Sequence, residues 1–383
     1  MFKTNTRQRG ALLAIPDRHR TEPGVRTKWL WTVLLLTATC AIAQSNKPET
    51  TIDAAERALV ISGAIKNLEE FYVFPDTAKK METTLHQRNK HGDYNAMIDG
   101  FKFAEALTAD LRGVSHDKHL SVIFSPQTLA EMPMAWPPAL SPPPDEAALK
   151  WIRSVNCLFD KVQVLPGNIG YLYFHAFMDP KVCGETAAAA MTFLGNSDAL
   201  IVDLRENGGG DPAMIALISS YLFDQPTHLN DLWERKRNTT QQWWTSPYVP
   251  GKPLGGKVPV YVLTSKDTFS GAEEFAYNLK NLKRATIVGE VTGGGAHPAT
   301  ERRLDEHFLM VVPFARAINP VSETNWEGVG VEPDVKARRE IALEVAEKMA
   351  LEKLAPSVSD PRQKDAISKE LDRVNKELRS RAN

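Results

Sequence analysis

A chain of 383 residues exceeds what one hydrophobic core ordinarily organises, so two domains with tails are expected. With 43% hydrophobic and 24% charged residues the composition is that of a globular protein, not of a disordered or fibrous one. A formal net charge of −1 argues against nucleic acid or an anionic membrane as partner.

Residues 1–43 read as a signal peptide. Arg20, Arg26 and Lys28 precede an apolar run from Trp29 to Ala38, and Ala41-Ile42-Ala43 supplies small residues for cleavage before Gln44. The run is too short for a comfortable span, so no stable membrane insertion is expected after cleavage. The expected location is exported, periplasmic or secreted. Cleavage removes Cys40 and leaves Cys157 and Cys183, which either pair or remain buried thiols.

Residues 44–125 read as a small helical domain. Ile61, Ala64, Ile65, Leu68 and Phe71 make one apolar stripe, and Ile98, Phe101, Ala104, Leu107 and Leu111 make another. A shorter helix lies around Ala78 to Leu85. The domain ends in VSHDKHLSVIF, a polar turn with His116 and His119 running into a strand. H-x-x-H spacing suits zinc, but no Cys or third His nearby in sequence completes a site, so neither metal nor cofactor is assigned. Residues 126–148 form a proline-rich linker, MPMAWPPALSPPP at its centre.

Residues 149–355 alternate strand and helix, the order of an α/β layer. Phe159–Val164 and Ile169–Phe174 flank Pro166-Gly167 as a hairpin, and Glu185–Leu194 is an alanine-rich helix. Ala199–Leu204 is a strand buried on both faces, leading into Asn207-Gly208-Gly209-Gly210 and a helix near Pro212. Glycines between strand and helix let the backbone turn its N–H groups toward a bound atom, or simply make a tight turn. Asp224 to Lys257, carrying Trp243-Trp244, is an insertion: a lid, or a packed excursion. The strand Val260–Leu263, the corner Thr264–Phe269 and the helix Gly271–Lys283 place Ser270 at a helix N-terminus. The strand Thr286–Val288 then leads into Gly293-Gly294-Gly295. Phe308–Val312 is a strand, a helix spans Glu340–Leu354, and residues 356–383 are a charged tail.

Ser270 has two readings. With Glu273 it forms an S-x-x-E capping box, which needs no chemistry. It is also placed to attack a carbonyl, with the Gly271 N–H and the helix dipole stabilising the oxyanion.

DLRENGGG, TSKDTFSGAEEFAYNLKNLKRATIVGEVTGGG and NWEGVGVEPDV, in this order, resemble the S41 serine peptidases. These include the tail-specific C-terminal processing proteases and the tricorn core protease. The helical N-terminal region, GGGAHP and ARAINPVSETNWEGVGVEPD are most similar to the interphotoreceptor retinoid-binding protein repeats. The resemblance implies a ClpP/crotonase-like α/β spiral preceded by a small all-α domain. It also implies a peptidase acting on peptides or unfolded proteins. The proline-rich linker stands where the tail-specific enzymes insert a PDZ domain, and Gly295 stands where their catalytic lysine should be. The tricorn-type set carries over instead: Ser270 as nucleophile, His119 as base and Glu327 as orienting acid. Gly271 and Gly209 become oxyanion donors, and Gly210, Gly294 and His297 become substrate contacts. Lys118 replaces a serine that supports the histidine in tricorn, with Ser115 as substitute, and His297 competes with His119 as base. The rival functions are a carrier of retinoid-like or fatty-acid-like ligands and an inactive peptide-binding scaffold on the same fold.

Overall fold

The computed structural model describes residues 50–129 and 145–381. The expected signal peptide and most of the proline-rich linker lie outside the described residues. In chain order the elements are α1 (Ala54–Phe71), α2 (Pro75–His91), α3 (Gly100–Ser115), β1 (Ser121–Phe124), α4 (Glu146–Ser154), β2 (Phe159–Leu165) and β3 (Ile169–Phe174). Then come α5 (Pro180–Leu194), β4 (Ala199–Asp203), α6 (Pro212–Ser220), β5 (His228–Glu234), β6 (Thr239–Trp244), β7 (Val260–Thr264), α7 (Gly271–Asn281) and β8 (Thr286–Gly289). The chain continues through β9 (Ala299–Arg303), β10 (Phe308–Pro313), β11 (Ala315–Ile318), β12 (Val335–Lys336), α8 (Ala342–Leu354) and α9 (Pro361–Arg381).

Helix starts follow local chemistry. Asp53 caps α1 and Asp99 caps α3 through carboxylate bonds to Glu56 N and Lys102 N. Asp179-Pro180 and Asp211-Pro212 open α5 and α6 with a capping carboxylate followed by proline at the first helical position.

The central sheet has the order β12-β8-β7-β4-β3-β2, parallel throughout except for β2. Alternation along its strands feeds two cores. Leu172, Phe174, Leu200, Val202, Val260 and Val262 face α5, α6 and α7. Ile169, Tyr171, Ala199, Ile201, Tyr261 and Leu263 face α8 and α9. The charged tail is therefore a helix that packs through Ile367 and Val374.

Two expectations change. The N-terminal helices do not close a core by themselves: β1 pairs antiparallel with β10, and Phe308, Met310 and Val312 complete the core of α1 to α3. On α3 the buried stripe is Phe103, Ala104, Leu107 and Leu111, while Phe101 and Ile98 are exposed. The insertion is a packed excursion. Its hairpin β5–β6 joins β11 in a three-stranded sheet, and Arg235 donates to the carbonyls of Tyr72 and Glu69 at 2.7 and 3.0 Å.

Cys157 and Cys183 form a disulfide between the segment after α4 and α5, closing a loop of 26 residues. Loop-closure entropy assigns such a cross-link about 3 kcal/mol. The Cys157→Ser/Cys183→Ser double variant should lose about that much in urea unfolding, and the wild type should lose it on reduction.

Candidate active site

The site is assembled where three turns meet beside the N-terminus of α7. Ser270 has φ 54° and ψ −121°, a backbone conformation that residues with a Cβ rarely hold. Its N–H donates to Glu273 Oε2 at 2.8 Å, the carboxylate limb of the capping box. Glu273, fully buried, does more than cap. It also accepts from Gly295 N at 2.8 Å, Gly294 N at 2.6 Å and Thr292 Oγ at 2.5 Å. One carboxylate thus holds the serine turn and the glycine turn together. Burial pushes its carboxyl above the ordinary range, against the pull of these four donors.

The third turn is 207–210. Gly209, at φ 102°, approaches so closely that a Cβ there would lie 2.5 Å from Gly271 N and 2.8 Å from Ser270 Cβ. Asn207 fixes this turn by accepting from Gly209 N at 2.9 Å and donating to Phe174 O at 2.9 Å. The Gly209 N–H is therefore committed. The N–H groups of Gly210 and Gly271 have no acceptor among the described residues, and a Cβ on Gly271 would sit 2.9 Å from Gly210 N. The free pair is Gly210 with Gly271, in place of the expected Gly209 with Gly271.

His119 lies over Phe269, ring centroids 4.7 Å apart, directly before Ser270 in sequence. A Cβ on Gly295 would meet His119 Cε1 at 2.7 Å and the Phe269 ring at 2.3 Å. Thus the space where a Ser-Lys enzyme's lysine would start is filled by the imidazole and the phenyl ring. Both His119 ring nitrogens are buried without a hydrogen-bond partner among the described residues. Burial lowers its pKa to about 4, which keeps the ring neutral at pH 7.

The carboxylate nearest this ring is Asp117, with Oδ1 3.9 Å from His119 Nδ1 and accepting from His119 N at 3.0 Å. Asp117 Oδ2 takes a bond from His297 Nδ1 at 2.7 Å and from the Tyr72 hydroxyl at 3.3 Å. Burial raises the Asp117 carboxyl, but His297 and His119 outweigh it and hold it below the ordinary range. Glu327 does not bond His119. Its Oε2 lies 3.4 Å from His297 Nδ1 and accepts from Ala296 N at 2.5 Å, while Oε1 has no partner among the described residues. Burial pushes Glu327 up to about 7, with His297 opposing and the Asp117 charge adding to the rise.

Three further expectations change. His297 is buried against Phe74 and Asp117, so it does not face a substrate. Gly294 spends its N–H on Glu273 and accepts from Gly328 N at 3.1 Å, which docks the glycine turn on the 328–330 loop. Ser115 bonds Leu111 O and Asp117 N instead of supporting His119, and Lys118 reaches Gly293 O at 2.5 Å. Asp117 and Asn207 carry parts of the site that the motifs did not single out. The D-x-H spacing and the Asn before three glycines were the available signals.

Sequence models of two domains match this chain: Peptidase family S41 over residues 168–337, and the N-terminal domain of Peptidase S41 in eukaryotic IRBP over residues 54–166. The chain belongs to peptidase family S41. A curated relative, the chloroplastic carboxyl-terminal-processing peptidase 2 of Arabidopsis thaliana, is 28% identical over 190 residues. That match takes in 47% of this chain and 35% of the relative, about a third of its length. A Parabacteroides merdae protein assigned as a peptidase superposes with a TM-score of 0.54 at 18% identity, covering 79% of this chain and 99% of that one. A Streptococcus agalactiae lipoprotein gives 0.50 at 13% identity, covering 78% and 96%. At these identities the structures share the fold: an α/β domain with a helical N-terminal region.

Two outcomes test the S41 site as a piece of architecture. Ser270→Gly should be about 1 kcal/mol more stable than Ser270→Ala in chemical unfolding, because glycine relieves the positive φ that alanine retains. Glu273→Gln turns an amide toward N–H donors and should cost about 2–4 kcal/mol, read in the same experiment.

Proposed function

We propose that this chain is an exported serine endopeptidase that hydrolyses unfolded or short peptides, with Ser270 as nucleophile and His119 as base. The observation that carries the reading is the unpartnered imidazole of His119. It is held neutral beside the serine turn, in the space that Gly295 leaves open. A neutral ring takes the Ser270 proton as Oγ bonds to the scissile carbonyl carbon. It returns that proton to the leaving amine as the C–N bond breaks. Water, deprotonated by the same ring, then hydrolyses the acyl-enzyme. The N–H groups of Gly210 and Gly271 receive the oxyanion; losing one such donor typically costs roughly 3 kcal/mol in the transition state.

Glu327 acts at one remove in this reading. It bears on His297, which holds Asp117, and Asp117 fixes the turn that presents His119. The tricorn-type trio therefore becomes a longer chain of groups, Glu327–His297–Asp117–His119. Export is supported by the Cys157–Cys183 disulfide, which persists in oxidising compartments. Among the described residues no helix is long and apolar enough to cross a membrane. A surface cavity of about 270 Å³ does not include Ser270 in its lining, which is two tyrosines, Tyr171 and Tyr173, among charged groups such as Asp203, Arg205 and Arg339.

A fluorophosphonate probe should label Ser270 in the wild type and nothing in Ser270→Ala. Ser270→Ala and His119→Ala should each lower kcat on an unstructured peptide by roughly 10⁴-fold or more. Probe labelling elsewhere, or wild-type turnover from either variant, overturns the assignment.

A further inference from the structure

We propose that Asp117, His297 and Glu327 form a binding site for one divalent transition-metal ion of the zinc class, and that an ion held there arrests the peptidase. The binding claim stands on geometry alone; the arrest rests on the peptidase reading. The three groups come from three separate segments: the turn after α3, the residues after the glycine turn, and the loop after β11. Their ligand atoms all lie within 4.8 Å of one another.

His297 Nδ1 faces both carboxylates, at 2.7 Å from Asp117 and 3.4 Å from Glu327. One Nδ1 proton bonds only one of them, whereas a cation between the three serves all. With metal–ligand distances of about 2.0–2.2 Å, tetrahedral coordination separates neighbouring donor atoms by about 3.3–3.6 Å. The His297–Glu327 separation already matches that. The Asp117–His297 separation is that of a hydrogen bond and opens by roughly 0.6–0.9 Å once the proton is displaced by metal. One imidazole nitrogen with two carboxylates suits zinc, while calcium and magnesium prefer six or more oxygens.

The surroundings hold the donors in place. Tyr72 and the His119 N–H bond Asp117, and Ala296 N bonds Glu327, as outer groups do around metal ligands. Asp117 and His297 are buried, but the Glu327 side chain is 19% exposed and opens the way in.

Arrest follows from the same geometry. His119 Nδ1 lies 3.9 Å from Asp117 Oδ1, so an ion held by Asp117 has this imidazole as its neighbour, and in the proposed arrest the ring supplies the fourth ligand. A neutral imidazole that gives its Nδ1 lone pair to a metal carries its proton on Nε2. That nitrogen then accepts nothing from Ser270, and the serine stays protonated.

The test uses the full chain carrying Ser270→Ala, titrated with Co²⁺ while visible absorption is recorded and with Zn²⁺ in a calorimeter. One ion per chain with tetrahedral Co²⁺ bands is expected. Binding should weaken at least ~10-fold in added Glu327→Gln and in added His297→Gln. Circular dichroism confirms that each variant is folded, and one folded variant suffices for the comparison. Absence of bands and heat at millimolar metal overturns the site, as does binding unchanged in a folded variant, which would place the ion on surface histidines. Zn²⁺ should also abolish wild-type peptide hydrolysis at the concentration that fills the site, and a chelator should restore it. Full activity with the site occupied overturns the arrest. A wild type that hydrolyses nothing with or without metal sinks the peptidase reading and leaves the binding result standing.

Discussion

The buried carboxylate of Glu273 is the joint on which the site depends. It accepts from Ser270 N, Gly294 N, Gly295 N and Thr292 Oγ, and no cation shares it among the described residues. A carboxylate taken out of water is costly unless its oxygens are satisfied, and here the four donors come from two turns that otherwise have no reason to meet. The helix cap and the active-site scaffold are the same interaction. The strained serine sits at this same joint, its N–H donating to Glu273 from a backbone held at positive φ.

Much of the α/β domain was legible from short-range signals. The continuous apolar run Ala199–Leu204 marked a strand covered on both faces, and the helix near Pro212 begins where it was expected, whereas α5 starts at Pro180, five residues before Glu185. The strand–corner–helix geometry around Ser270 could be read from Val260 onward. What escaped depended on partners distant in sequence. By spacing Phe101 and Ile98 fit an apolar stripe with Leu107, yet Ile98 precedes α3 and Phe101 faces outward, because β1 and α2 cover the other side of the helix. Nothing local to β1 announced that its partner lies near Phe308.

The site was legible in its residue types and less so in its connections. Glycine motifs say where backbones come close, not which N–H remains free. Asn207 takes the Gly209 donor and leaves Gly210 its own, a choice made by one side chain reaching forward two residues. His297 follows a glycine-rich turn and so reads as a substrate contact or a rival base, yet it is buried as the link between Glu327 and Asp117. Asp117, two residues before His119, is the piece that D-K-H-L contained without declaring.

The pairing of β1 with β10, together with the bond from Arg235 to the end of α1, makes the helical region and the α/β domain one folding problem. The segment bearing His119 leaves the ribosome long before Ser270 does, and the strand that finishes its core arrives later still. Neither half contains all the groups of the candidate site by itself. In the proposed reading His119 and Ser270 come together only once β10 has docked on β1, so the order of synthesis itself delays completion of the site.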